Sequence, residues 1–367
     1  MSVTNLRLHV AQSLSLRYLY RMETRVLGRS DVRVSAACLG TMTFGTATDE
    51  TEAFRQMDYA VEQGVTFFDT AELYAVPPTA ETYGASERII GRWLAARGTR
   101  DNVFLATKIA GKGMPWIRGG QGCIDAANID AAVAGSLERL QTDTIDLYQL
   151  HWPNRNSYHF GQVWDYSGGI GTNDEVSANI VEVLQALDAH VRAGRIRHIG
   201  LSNETAWGTM QYLQHAQARD LPRVVSIQNE YSLLKRLFEP DLSEVAQREQ
   251  VGLLAWSPLA TGLLSGKYAG GARPPQSRWG RHSGGRRDTP QAHAAVDAYL
   301  EIARKHGIDP VHLALGFVNS RAFVTSTIFG ATTLQQLQHD LQAFDLALSD
   351  AVQEEIAAVR RRFPMVY

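Results

Sequence analysis

The chain has 367 residues, 44% of them hydrophobic and 20% charged, so it can bury a large core, either as two domains or as one insertion-bearing α/β barrel. A formal net charge of -2 gives no global electrostatic reason to expect nucleic acid or an acidic membrane surface as a partner, and no apolar run approaches the roughly 18 residues needed to cross a bilayer. Two cysteines, Cys38 and Cys123, lie far apart in no CxxC pattern, which argues against a disulfide framework or a cysteine-built zinc site and fits a reducing, cytoplasmic setting.

Residues 1–21 carry Arg7, Arg17 and Arg21, several serines and no acidic residue, a composition that mimics a transit peptide. We read them as a disordered or mis-started N-terminal extension, with one barrel domain over residues 22–367. That domain opens on a hairpin over 24–35, whose arms flank the turn residues Gly28, Arg29, Ser30 and Asp31. Strand patterns follow near 37–42, 65–69, 103–108, 145–151, 196–202, 224–229, 252–257 and 324–330. Helical patterns alternate with them at 51–63, 85–96, 129–140, 181–192, 206–218 and 292–305. Strands alternating with helices imply parallel pairing through helical crossovers, and eight strands close a barrel. The expected fold is therefore a (β/α)8 TIM barrel with an N-terminal β-hairpin and C-terminal helices. Long loops at 76–84, 111–127, 153–174 and 270–290 follow strands, and in a barrel such loops wall the site-bearing carboxyl face. The last of them holds Arg273, Arg278, Arg281, Arg286 and Arg287, and its final arginines read equally well as a solvated flexible segment.

The strand ends carry the chemistry. The second strand ends in Phe67-Phe68-Asp69, with Tyr74 close behind; the third ends in Ala106-Thr107-Lys108; the fourth ends in Gln149-Leu150-His151. A buried charge costs several kcal/mol unless paired, so Asp, Lys and His on successive strands beside a Tyr form a constellation. Taken singly, an Asp–Lys pair is an ordinary salt bridge and a strand-end His an ordinary core residue. Together they suit proton transfer. A lysine ammonium about 4 Å from a phenol favours the phenolate by up to ~3 pKa units, which would bring Tyr74 from about 10 toward the neutral range.

The runs Phe68-Asp69-Thr70-Ala71-Glu72-Leu73-Tyr74, Ala106-Thr107-Lys108 and Asp146-Leu147-Tyr148-Gln149-Leu150-His151-Trp152 resemble, in order, the tetrad motifs of the aldo-keto reductase family. Leu39-Gly40-Thr41-Met42-Thr43-Phe44-Gly45 and Ile199-Gly200-Leu201-Ser202-Asn203-Glu204-Thr205 are similar to motifs of a bacterial branch of that family. The resemblance spans nearly the whole chain. It implies an NADPH-dependent oxidoreductase that reduces aldehydes or ketones to alcohols, with Tyr74 as proton donor, Asp69 and Lys108 tuning it, and His151 orienting the carbonyl. Tyr74, His151 and Trp152 would then line the substrate position.

The same resemblance implies an NADPH/NADP+ site. Gly40, Thr41 and Met42 belong to it, and Ser202, Asn203 and Gln228 offer groups suited to a carboxamide. Trp256 offers a flat face for the nicotinamide ring. Ser257, Pro258, Leu259, Thr261 and Gly262 resemble the loop that wraps the pyrophosphate. It is no P-loop, because only three residues separate Gly262 from Gly266 and Tyr268 stands where Ser or Thr is required. No GxGxxG follows the first strand, which disfavours a Rossmann site. Gly330, Thr332, Gln336 and Asp340 resemble the phosphate and adenine motif at the start of the final helix. Lys267, Arg278 and Thr332 would receive the 2′-phosphate that separates NADP from NAD. His339 and Asp340 stand where relatives often carry Glu and Asn, and Gln276 where some carry an aromatic residue.

Trp116, His159, Phe160, Trp164 and Tyr166 lie on long loops as further pocket walls. The expected partner is a small-molecule carbonyl substrate, with no nucleic acid and no membrane; a homo-oligomer is compatible with the sequence. A second function on the same scaffold is an NADP-binding, redox-sensing regulatory subunit. A metal-dependent hydrolase is a third reading, but the eleven histidines form neither HxH nor HExxH, so no metal is expected.

Overall fold

The computed structural model describes residues 22–120, 122–169 and 171–367. The extension assigned to residues 1–21 lies outside them.

The chain enters through the antiparallel hairpin β1 (Thr24–Val26) and β2 (Arg33–Ser35), then winds eight parallel strands into a closed barrel. These are β3 (Ala37–Gly40), β4 (Phe67–Asp69), β5 (Phe104–Ile109), β6 (Ile145–Leu150), β7 (Ile196–Ser202), β8 (Val224–Glu230), β9 (Gly252–Trp256) and β10 (Val324–Phe329). Each strand pairs with its successor, and β10 closes on β3. The crossovers carry α1 (Glu50–Glu62), α2 (Ala85–Arg97), α3 (Ala126–Leu140), α4 (Asn173–Arg192), α5 (Ala206–Ala218) and α6 (Leu242–Arg248). Between β9 and β10 lie α7 (Arg278–Arg281), α8 (Pro290–His306) and α9 (Pro310–Asn319); α10 (Leu334–Leu341) and α11 (Asp350–Arg362) follow β10.

The helices start where their first turns are capped. Asp49 accepts from Glu52 N, Asp125 from Asn128 N and Thr205 from Gly208 N, while Thr172 and Glu175 form a reciprocal capping box. These signals explain why α3 and α4 begin ahead of the periodic apolar stretches expected at 129 and 181. The strands match expectation to within two residues at each end. One assignment needs correction: the segment that starts at Leu334 is not the final helix, because α11 follows it.

Inside the bore, alternation sorts the strands into layers. Cys38, Phe67, Ala106, Leu147, Val225, Leu254 and Ile328 form an apolar cluster with Leu27 and Val34 of the hairpin. The hairpin thus plugs the amino-terminal mouth, and burying each of those two side chains stabilises it by about 1.5–3 kcal/mol. Its turn demands Gly28, which has φ +55°, and a Cβ there would lie 2.0 Å from the carbonyl oxygen of Val225. One step further along the strands, the inward positions become polar: Asp69, Lys108, Gln149 and Gln228. No helix among the described residues is long and apolar enough to cross a membrane.

Candidate active site

The polar layer is a closed network. Lys108 Nζ donates to Asp69 Oδ2 at 2.6 Å, to the carbonyl oxygen of Thr70 at 2.7 Å and to the Tyr74 hydroxyl at 3.4 Å, which uses all three of its protons. Asp69 Oδ1 accepts from Gln149 Nε2 at 3.1 Å and from Gln228 Nε2 at 2.8 Å. Lys108 is fully buried and Asp69 nearly so. A pair this dry persists only because every remaining proton and lone pair is satisfied. Burial alone would pull the Lys108 ammonium down, but Asp69 and Tyr74 outweigh it and hold the group above its ordinary value.

Tyr74 stands on the loop after β4, with the Lys108 ammonium also 4.8 Å from its ring centre. Here the expectation of a lowered phenol is reversed. Burial raises the Tyr74 hydroxyl, Lys108 opposes it, Asp69 adds to the rise, and the net direction is upward. The loop is held by Glu72, whose buried carboxylate accepts from Ala110 N at 2.7 Å, from Tyr83 at 2.7 Å and from Arg118 at 2.8 Å. Sequence reasoning quoted Glu72 without giving it a task. Gln149 was missed in the same way, although its place two residues before His151 puts both on one face of β6 and its continuation.

His151 follows β6, its ring 5.7 Å from that of Tyr74 and nearly perpendicular to it. Burial, reinforced by Lys108, holds its pKa well below the ordinary value, so the imidazole is neutral. Its Nδ1 is buried without a hydrogen-bond partner. Trp152 packs beside it, with ring centres 4.9 Å apart, and hydrogen-bonds the carbonyl of Lys112 at 3.2 Å. That seat requires Gly111, where a Cβ would lie 2.4 Å from Trp152 Nε1. Phe160 sets its edge on Trp152 and stacks on Trp256 with ring centres 6.1 Å apart. Of the other aromatic wall candidates, His159 is buried, while Trp116, Trp164 and Tyr166 are exposed.

The remaining candidate residues gather on the arc of the carboxyl mouth formed by β7, β8, β9, β10 and β3. Ser202 donates to the carbonyl of Gln228 at 2.8 Å. Asn203 donates to the carbonyl of His151 at 2.8 Å, while its Oδ1 is buried with no partner, as is Trp256 Nε1. Gln228 differs from expectation: its amide protons are engaged by Asp69 and Gln149 in the bore, so they hold the network together. Thr41 ties the end of β3 to β4 by donating to Asp69 O at 2.9 Å, and Met42 O accepts from Val76 N. Gly40 and Gly330 meet main chain to main chain, a Cβ on Gly330 lying 2.8 Å from Gly40 O.

After β9, Ser257 and Thr261 take left-handed backbone angles around Pro258 and Leu259, and Trp279 donates to Thr261 Oγ1 at 3.0 Å. Lys267 folds back over Gly262. Lys267 and Arg278 are exposed, and among the described residues neither has a carboxylate partner. Arg287, whose loop reads equally well in sequence as a solvated segment or a pocket wall, is buried in an ion pair with Glu230 that Arg286 joins at 3.2 Å. At the start of α10, Gln336 Oε1 accepts from both the backbone and the hydroxyl of Thr332 at 2.9 Å. Asp340 is buried, and burial raises its carboxyl against the pull of His339, His312 and Lys267.

Residues 36–361 match the model of the aldo/keto reductase family. The chain is 46% identical to Protein tas of Escherichia coli over 93% of its own length and 98% of that protein's. It is 34% identical to the uncharacterized oxidoreductase YrpG of Bacillus subtilis, over 90% of this chain and 94% of that one. With norsolorinic acid reductase B of Dothistroma septosporum it shares 30% identity over 90% of this chain and 79% of the other. The chain belongs to the aldo/keto reductase family, and the family supports an oxidoreductase acting on small carbonyl compounds.

Proposed function

We propose that this oxidoreductase uses NADPH to reduce aldehydes or ketones to alcohols, with residues 22–367 as its single catalytic domain and Tyr74 as general acid. The observation that carries the reading is the buried Lys108 ammonium, 2.6 Å from Asp69 and 3.4 Å from the Tyr74 hydroxyl. NADPH, when bound, supplies the hydride that adds to the carbonyl carbon. Tyr74 gives its proton to the carbonyl oxygen, and the phenolate left behind is stabilised by the Lys108 N–H already aimed at it. Asp69 keeps Lys108 charged, and Gln149 and Gln228 keep Asp69 in place. The neutral His151 donates its one N–H to the same oxygen, beside Trp152.

The residues fit the cofactor. Asn203 Oδ1 and Trp256 Nε1 are a buried acceptor and a buried donor without partners at the mouth, and a carboxamide offers the complement of both. Lys267 and Arg278, exposed cations in no ion pair within 4 Å among the described residues, suit the 2′-phosphate. Two relatives named as an oxidoreductase and a reductase support the reaction class.

The test is Tyr74→Phe, with NADPH binding followed by fluorescence and a panel of aldehydes and ketones followed by cofactor absorbance. Reduction falls about 10²–10⁴-fold while NADPH binding is retained. Normal turnover in the variant would overturn the reading. Tight NADPH retention by the unaltered chain, with every carbonyl left unreduced, would favour a regulatory subunit instead.

A further inference from the structure

The segment that opens α9 meets the end of α10. Asp309 caps α9, its Oδ1 accepting from Val311 N at 2.8 Å and from His312 N at 3.3 Å, which leaves Oδ2 free to turn outward. That Oδ2 lies 3.3 Å from His339 Nε2. Asp309, His312 and His339 each offer one ligand atom, and the three atoms lie within 4.8 Å of one another.

We propose that Asp309, His312 and His339 bind a divalent transition-metal ion, zinc being the best match to two imidazoles and one carboxylate with a position left for water. The second, independent observation is what lies behind the two rings. A metal-bound imidazole almost always passes its other N–H to a carboxylate or a backbone carbonyl, which fixes the tautomer and aims the ligating nitrogen. Both rings have such a partner here. His339 Nδ1 lies 3.2 Å from Asp340 Oδ1, and His312 Nε2 lies 2.8 Å from the carbonyl oxygen of His339. The nitrogens left over are His339 Nε2 and His312 Nδ1. The rings are 4.5 Å apart and 31° from parallel, and the side chains of His339 and Asp309 are 41% and 39% exposed, so both have room to swing toward one point.

The bound ion ties the start of α9 to the end of α10, adding to the His312–His339 hydrogen bond and the Asp309–His339 ion pair that already join them. His312 and His339 stand 27 positions apart in the chain, so no short histidine motif marks the site. Asp340, which orients His339 here, also belongs to the candidate cofactor site, so zinc binding is read on the cofactor-free chain and its failure leaves the reductase reading untouched.

The full chain, free of any affinity tag and stripped with a chelator, is titrated with zinc chloride by calorimetry. One equivalent binds, and His312→Ala and His339→Ala each weaken the affinity by at least about 10-fold. Asp309→Asn does the same while keeping the helix cap, since Asn caps as well as Asp. Cobalt(II) in place of zinc gives visible bands of a four-coordinate ion, which the same variants lose. Zinc raises the thermal midpoint of the unaltered chain and not of the variants. Absence of zinc binding overturns the proposal, as does binding that His339→Ala and Asp309→Asn leave unchanged, since the ion would then sit on other histidines.

Discussion

Gln228 on β8 donates to Asp69 on β4 at 2.8 Å, and these two strands stand diametrically opposite in the barrel. The bore is therefore crossed by a hydrogen bond between elements 159 residues apart. Gln228→Leu fills similar space but takes one donor from a buried carboxylate, a loss of about 1–3 kcal/mol. Urea denaturation of the variant should show that loss, and carbonyl reduction should fall with it. An unchanged midpoint would mean that Gln149 alone satisfies Asp69.

The raised Tyr74 hydroxyl sets a pH dependence. On the proposed mechanism the protonated phenol is the active form for reduction, and its folded value lies above the ordinary one of about 10. Reduction at saturating cofactor should thus stay flat from neutrality to about pH 10 and fall only beyond it. A fall with an apparent midpoint near neutrality would show that the Lys108 charge outweighs burial after all.

His159 gives the stability a slope on the acid side. Burial lowers its pKa to about 4, although the carbonyl of Glu204 lies 3.2 Å from its Nε2. The folded state therefore refuses a proton that the unfolded chain accepts below about pH 6.5. Stability is full above that value and is lost as pH falls toward about 4, by up to roughly 3 kcal/mol in total. Unfolding midpoints measured across this window should slope less in His159→Phe than in the unaltered chain.

Lys267 and Arg278 should separate the two nicotinamide cofactors. Replacing Arg278 with Ala removes a planar fork suited to phosphate, and replacing Lys267 with Ala removes a point charge. Each should weaken NADPH binding about 10-fold or more, by the loss of a charge-assisted hydrogen bond, while leaving NADH nearly unchanged. Equal losses for both cofactors would place these cations on the pyrophosphate instead.

The barrel was legible because alternation along the chain is a local signal: strand runs, helix periods and caps all lie within a dozen residues of each other. The tetrad candidates were legible for a related reason, since charge at the end of an apolar strand contradicts its surroundings. What escaped depends on closure. That the Gln228 amide protons serve Asp69 and Gln149 follows from strands meeting across the closed bore, which no stretch of sequence displays. Glu72 looked like any loop carboxylate until Arg118 and Tyr83 folded over it. The direction of the Tyr74 shift escaped because one neighbouring cation is visible in a motif while the surrounding apolar wall is not. α9 was passed over because its apolar face is nearly continuous and lacks a clear polar stripe, ten residues from Pro310 to Asn319.

The hairpin beneath the barrel has a consequence for proton traffic. Leu27 and Val34 floor the bore beneath Lys108 with buried hydrocarbon, and among the described residues that floor sets water apart from the ammonium. On the proposed mechanism, every proton that Tyr74 gives up is replaced through the opposite opening, the same one the substrate would enter. Whatever fills that opening also sets when the phenol can be recharged.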